Sequence, residues 1–468
     1  MSNGFIVMGT IWKVDNQAFI KDSESEPKYK VLAGYIEAAI VSGELLDQQK
    51  LPAQRWLADQ LNVTHGTVTR AYALAEKRGV VVAKLGAGTY VNSRLLVRDD
   101  NQCIDFAASM QPMLGQQNIL AQAMHELAND PKALLQMMAY AVEGISRHKQ
   151  IFSQWLNTKG IDNNPQELIF TQGAQQGIYT VLQVLAQPGD LVVHEQLSYP
   201  GLYKAAQAAG LETQGVTLTD EGIDVEKLED ICRENKVKIL YITPNMQNPT
   251  NVQYSHEVLQ KLLVLSKKYD FYIIEDDVNY CPSTQWRRPF QLQAPDRVIY
   301  LSSLSKYFAG GLRVGYMLAP TAVQAQIKQH IHGQCWMVSS MNFELACRFI
   351  ESESYEKNQQ LLEKELKYRQ QAFIEMLAKF NITPRSGGLN LWLELPDHIN
   401  MHQLSGSLLA KNVKVRTADV FTASNTQLRS NALRIAIGGP DTRELFERGV
   451  VIFSQVLEKL NADTDVVI

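Results

Sequence analysis

Cysteine is scarce and scattered. Cys103, Cys232, Cys281, Cys335 and Cys347 form no CxxC pair. That spacing excludes a disulfide framework and a thiolate zinc site, and it fits a reducing cytoplasm. The nine histidines show no metal-ligand spacing, so no metal is expected. No apolar run reaches the ~20 residues a membrane-spanning helix needs, so no membrane partner is expected either. The opening stretch, MSNGFIVMGTIWKVDNQ, lacks the basic start and long apolar core of a secretory leader. No internal repeat or low-complexity tract is visible. What is present is ordinary for a globular chain: 45% hydrophobic and 20% charged residues over 468 positions, a length that suggests two or three domains.

The net charge of -4 is unevenly spread. Residues 26–98 hold ten Lys/Arg against six Asp/Glu, so the remaining chain is the acidic part. A basic module on an acidic body suits a DNA-binding head. Residues 1–25 read as a loose arm. Val31, Leu32, Tyr35, Ile36 and Ile40 recur at helical spacing over 29–41, with Gly43 as a stop. Pro52 opens a second helix over 53–61. Thr64 is a good N-cap for a third, over 65–78, which Gly79 ends. Residues 80–83, then Gly86-Ala87-Gly88, then 89–91 read as strand, turn and strand.

Three helices plus a hairpin make a winged helix-turn-helix over 26–91, followed by a charged linker over 92–103. The helix from Thr64 is the one that would enter the major groove. His65, Thr67, Thr69 and Arg70 can face DNA there, while Val68 and Ala71 pack inward. Arg55 on the preceding helix can hold a phosphate, and Lys84 with Gly86 and Gly88 forms the wing. The stretch LPAQRWLADQLNVTHGTVTRAYALAEKRGVVVAKLGAGTYV closely resembles the head of the GntR regulator family. That family often has arginine where His65 stands, so the change bears on base preference rather than on DNA binding.

From Ile104 onward, apolar strand-like runs alternate with helices: 168–171, 191–194, 238–242, 271–275, 297–301 and 314–318. Such a pattern predicts an α/β domain with a mainly parallel, doubly covered sheet. A long helix over 355–380 and strands near 390–395 and 433–437 predict a smaller α+β domain behind it, the two together filling 104–462.

Four segments in this body carry chemistry. Gly173-Ala174-Gln175-Gln176 opens a helix straight after a strand, where free N–H groups bind phosphate. Gln247-Asn248-Pro249-Thr250 follows a buried strand; Asn-Pro is turn chemistry, and its amide can reach a phenolic oxygen. Asp276, within Ile273-Ile274-Glu275-Asp276-Asp277, can pair with a pyridinium nitrogen. Ser303-Leu304-Ser305-Lys306 offers an amine that can form a Schiff base, with Arg313 behind it for a phosphate.

In this order and spacing the segments resemble the fold-type I aminotransferases, over roughly 104–460. The resemblance implies pyridoxal 5′-phosphate as cofactor and Lys306 as its Schiff-base and catalytic lysine. It further implies Asp276 at the ring nitrogen and Asn248 at the phenolic oxygen. Ala174, Gln175, Ser303 and Arg313 would surround the phosphate, and Tyr199 would stack on the ring. Arg434 would hold an effector carboxylate, with Arg416 and Arg429 as alternatives. Two departures stand out. Asn251 replaces the glycine usual after Asn-Pro-Thr, and Val278 and Asn279 stand where a tyrosine is common, so the cofactor would be held by one hydrogen bond fewer or Tyr280, one position further on, would compensate. These changes predict a site that binds amines better than it turns them over.

Joined, the two resemblances are those of the MocR-type regulators. They imply a homodimeric DNA-binding transcription regulator that senses pyridoxal phosphate or a small amine or amino acid. The alternative is an active aminotransferase with an incidental head.

Overall fold

The computed structural model describes residues 12, 14–23, 26–41, 44–45, 49–78, 80–84, 88–91, 103–423 and 430–465, without the side chains of Val41, Lys84 and 463–465. The expected stops Gly43 and Gly79, the wing residues Gly86 and Ala87, the linker up to 102 and the alternative Arg429 lie outside the described residues. So does the side chain of Lys84. The chain divides into two compact units, 1–102 and 103–468.

The head is the expected winged helix-turn-helix, with helices Lys28–Val41, Gln54–Leu61 and His65–Lys77. Strands Val81–Lys84 and Gly88–Val91 pair antiparallel as the wing. Leu32, Ile36, Leu57, Leu61, Val68 and Ala71 share one core. The tight turn exists because Asn62 adopts the left-handed conformation (φ 50°), which asparagine tolerates better than most residues. Val63 N–H then closes back on Ala58 O at 3.0 Å. The loose arm expected over 1–25 needs correcting. Asp15 caps a short helix, Asn16–Asp22, and Phe19 and Trp12 are buried in the head's core. Seven helical residues with one apolar anchor are too few for a periodic signal.

The body is built on a seven-stranded sheet. In spatial order its strands are Ile169–Gln172, Val314–Leu318, Val298–Ser303, Tyr272–Asp276, Val237–Ile242, Leu191–Glu195 and Glu212–Val216. Only Val314–Leu318 runs antiparallel to its neighbours. Five of these strands are buried almost throughout, as continuous apolar runs require when helices cover both faces. The edge strand Glu212–Val216 was not read from the sequence: ETQGV is half polar, as an edge permits.

The smaller part holds a four-stranded sheet of Arg385–Gly387, Asn390–Glu394, Ala432–Ala436 and Arg416–Thr417, packed under helices Ser354–Ala378 and Arg443–Asp465. Ile104–Asp105 pairs with Val413–Lys414, so the start of the body is woven into this smaller part.

Candidate cofactor and effector site

The parallel strands other than the edge strand Glu212–Val216 point their C-terminal ends at one cavity of about 560 Å³. Such crevices are where open α/β sheets bind ligands. The sheet delivers Asp276 from the end of Tyr272–Asp276, and Ser303 and Lys306 from just beyond Val298–Ser303. The loop after Val237–Ile242 delivers Asn248. Ala174, Gln175, Tyr199, Arg313 and Arg434 complete the set, so the structure brings nine sequence-chosen residues to one cavity.

Asp276 is buried, which pushes its carboxyl up to about 6. The shift is held there by partners that favour the charge: Tyr241 Oη donates to Oδ2 at 2.5 Å and Val278 N–H to Oδ1 at 3.0 Å. Tyr241 was not singled out in the sequence, where it reads as a core residue of a strand. Its signal was the register. Tyr241 lies opposite Ile274, so it shares a face with Asp276 two positions on.

Lys306 sits on a single 3₁₀ turn beside the cavity, its Nζ donating to Ser109 O. Burial, then the charges of Arg434 and Arg313, pushes its amine down to about 8, against the pull of Asp276. A lysine so placed is neutral in a useful fraction near neutral pH, which nucleophilic attack on an aldehyde requires.

At the other end, helix Gly173–Leu185 begins at the cavity edge with no side-chain cap on its first N–H groups. Gly173 (φ 73°) is needed twice: for its backbone conformation, and because the Arg313 guanidinium occupies the space a side chain would take. Among the described residues, the Arg313 guanidinium bonds only to the carbonyls of Gly310 and Gln172. Ser303 Oγ, however, accepts from Ser305 N–H at 3.2 Å and is buried, while Ser305 also lines the cavity. Gln175 Nε2 donates to Gly201 O, and its Oε1 is buried without a partner.

Arg434 is buried at the opposite wall, over the Phe421 ring. It donates to Asn248 Oδ1 at 3.1 Å and Ala107 O at 2.6 Å, and its Nε is left without a partner. The loop carrying Asn248 is braced from behind by the buried Glu195, which accepts from Thr243 N–H, Gln247 Nε2 and Tyr254 Oη. Burial pushes Glu195 up to about 7.

The two departures resolve differently. Asn251 keeps the left-handed turn (φ 59°) that glycine would supply, and its Nδ2 donates to Arg385 O and Asn390 O on the small sheet. The loop is therefore tied down rather than loosened. Tyr280 does not reach the cavity: it is buried in the core of the smaller part, tilted against Tyr307 at 5.2 Å between ring centroids. Backbone turning after Asp276 sends Val278 and Asn279 to the cavity wall and Tyr280 away from it. Tyr280 thus does not compensate.

In the head, His65, Arg70 and Arg55 are exposed, and their side chains make no hydrogen bond or ion pair among the described residues. Thr64 and Thr67 are engaged with each other: the Thr64 hydroxyl caps Thr67 N–H, and the two hydroxyls lie 2.9 Å apart. Thr69 bonds to Gln54 at 2.8 Å, linking the two helices of the motif. Gln54 was missed as a positioning residue, since a polar residue at a helix start carries no special signal.

Comparison with known proteins agrees with both halves. Residues 28–91 match the bacterial regulatory proteins of the gntR family, and 101–447 match aminotransferase class I and II. The uncharacterized HTH-type transcriptional regulator YdeF of Bacillus subtilis is 27% identical, over 94% of this chain and 96% of its own. The HTH-type transcriptional regulator TauR of Rhodobacter capsulatus is 25% identical over 82% of this chain and 88% of its own. Among solved structures, the kynurenine aminotransferase of Pyrococcus horikoshii superposes with a TM-score of 0.67 at 25% identity, over 76% of this chain and 91% of that one. With a GntR-type winged head and a site built at the sheet's C-terminal edge, this chain belongs to the aminotransferase class I and II family, in the two-domain form shared by its HTH-type regulator relatives.

Proposed function

We propose that the chain regulates transcription by binding operator DNA through its head and sensing a small amine or amino acid through pyridoxal 5′-phosphate held in its body. One observation carries the reading: a head with free, exposed cations on its recognition helix is joined to a complete cofactor-type cavity. The residues fit the cofactor. An uncapped helix start with Arg313 suits a phosphate, Tyr199 an aromatic ring, Asp276 a ring nitrogen and the depressed Lys306 amine an aldehyde. When bound, the cofactor supplies a carbonyl that joins covalently to amines and an electron sink at their α-carbon.

The protein's own groups do the rest. Lys306 would hold the cofactor through its carbonyl. Asp276, kept charged by Tyr241 and Val278 N–H, holds a proton at the ring nitrogen. Arg434, positioned by its bond to Asn248 Oδ1, would orient the effector's acid group. An effector changes DNA occupancy only if it binds two arrangements of the protein unequally. A homodimer supports this. Leu135, Met138, Tyr140 and Trp336 leave an apolar surface open on the body, as an isologous partner would cover. A DNA partner supports a cytoplasmic location.

A second reading, an active aminotransferase, is favoured by the same complete residue set and by the tied-down Asn251 loop. One experiment separates the two. Candidate amines are added to the cofactor-loaded protein, and promoter affinity and keto-acid product are measured in parallel. A shift in DNA affinity with little product is expected. Many turnovers with DNA affinity unmoved would favour the enzyme.

A further inference from the structure

The cavity holds more positive charge than these assignments use. Five basic side chains line it, Lys204, Lys306, Arg313, Arg416 and Arg434, against one carboxylate, Asp276. On the reading above, Lys306 takes the cofactor, Arg313 its phosphate and Arg434 one carboxylate. Arg416 and Lys204 remain, and neither has an ion pair or hydrogen bond among the described residues.

Arg416 is not a stray surface charge. Its strand pairs antiparallel with Ala432–Ala436, and it stands directly opposite Arg434. Directly opposed residues project from the same face of a sheet with Cβ atoms about 4.5–5.5 Å apart. The two guanidiniums therefore emerge side by side, Arg434 buried against Asn248 and Arg416 exposed to the cavity. Like charges so placed repel. Burial and then the Arg416 charge push Arg434 down to about 10. Asp105 offsets the pair only in part, and no carboxylate forms an ion pair with either guanidinium among the described residues. Asp276 is taken by Tyr241 and Val278, and Asp105 is turned to the N–H groups of Ala107 and Ala108. Sites that persist against such repulsion are those whose ligand supplies the missing charge.

We propose that the effector is an amino acid with a second acidic group on its side chain, its α-carboxylate on Arg434 and its side-chain acid on Arg416, with Lys204 adding to the field. This rests on the reading of the cavity as an amine-effector site.

The test uses the full-length protein loaded with pyridoxal 5′-phosphate. Aspartate, glutamate and 2-aminoadipate are titrated beside their uncharged counterparts asparagine, glutamine and norleucine. Dissociation constants come from calorimetry and from the change in cofactor absorbance. The best diacid is expected to bind about tenfold tighter than its counterpart, the scale of one charge-assisted pair. In Arg416→Met that ratio should collapse towards one, and Arg416→Lys, which keeps the charge but not the fork, should retain part of it. A ratio near one in the native chain, or one that survives Arg416→Met, would overturn the second-acid assignment while amine sensing stood. If no amino acid of either set binds, the amine-effector reading falls and takes this inference with it.

Discussion

The head and the body use charge in opposite ways. Arg55 and Arg70 stand in water on the head, their guanidiniums unpaired among the described residues. Asp276, Lys306, Arg434 and Glu195 are enclosed in the body and displaced from their ordinary titration ranges by burial; neighbouring cations add to the shift of Lys306 and Arg434, while hydrogen-bond donors oppose that of Asp276 and Glu195. The difference follows from the ligands. A polyanion is found through a long-range field, so exposed cations that keep their full charge serve best, at the cost of screening by salt. A small ligand that reacts covalently needs groups whose protonation is set locally, which only desolvation and close charges achieve. The head should therefore answer to salt and the body to pH, and each can be broken separately.

The largest effect belongs to Lys306. Lys306→Ala removes the one amine at the cavity placed to hold an aldehyde and should abolish the cofactor adduct that borohydride fixes, read by mass spectrometry. DNA binding at fixed salt should persist, because the head is a separate compact unit. An adduct that survives would move the attachment to another lysine, with Lys204 the next in the cavity.

A smaller effect comes from the neighbour of that lysine. Capture of the cofactor aldehyde needs the neutral amine, so its rate in cofactor-free protein should rise with pH through an inflection near 8. Arg434 is the larger of the two positive charges that depress Lys306. Removing a positive neighbour favours the charged amine. Arg434→Met should thus shift the inflection upward and slow capture at neutral pH, in stopped-flow absorbance across pH 6–10. An inflection that stays put would mean burial alone sets the lysine.

Much of this was legible before any coordinates, and the reason is periodicity. Strands buried on both faces must be continuous apolar runs, and all six that were read are present within one or two residues, five of them parallel and Val314–Leu318 antiparallel. The sites of Lys306, Asp276 and Asn248 were legible because each sits at the end of such a run, where the chain turns to the crevice. Residues that act through register were not. Tyr241 and Arg416 owe their positions to cross-strand partners, and pairing order is not written in local sequence. Tyr280 failed for a related reason: one residue of turning after a strand reverses which side chain faces inward. Ser109 lies nearly 200 positions from Lys306, and nothing local marks it.

The finest test of the contrast lies on the recognition helix. Arg70 and Arg55 are exposed on adjacent helices of the motif, and the turn at Asn62 fixes the angle between those helices. Each arginine that meets a phosphate releases about one counterion, so Arg70→Ala and Arg55→Ala should each flatten the slope of log affinity against log salt by about one unit. His65 is one residue inside the Thr64 cap, where the first turn of a recognition helix meets base edges. An imidazole there reads one base step at most. His65→Ala should leave the salt slope nearly unchanged and alter which operator variants are preferred, by an amount on the order of 1–3 kcal/mol at one position. Binding to a panel of operator variants and to random duplex, at two salt concentrations, measures both quantities. Equal losses on operator and random DNA, with a flatter slope, would assign His65 to the phosphate backbone and place the head's sequence reading elsewhere on that helix or on the wing.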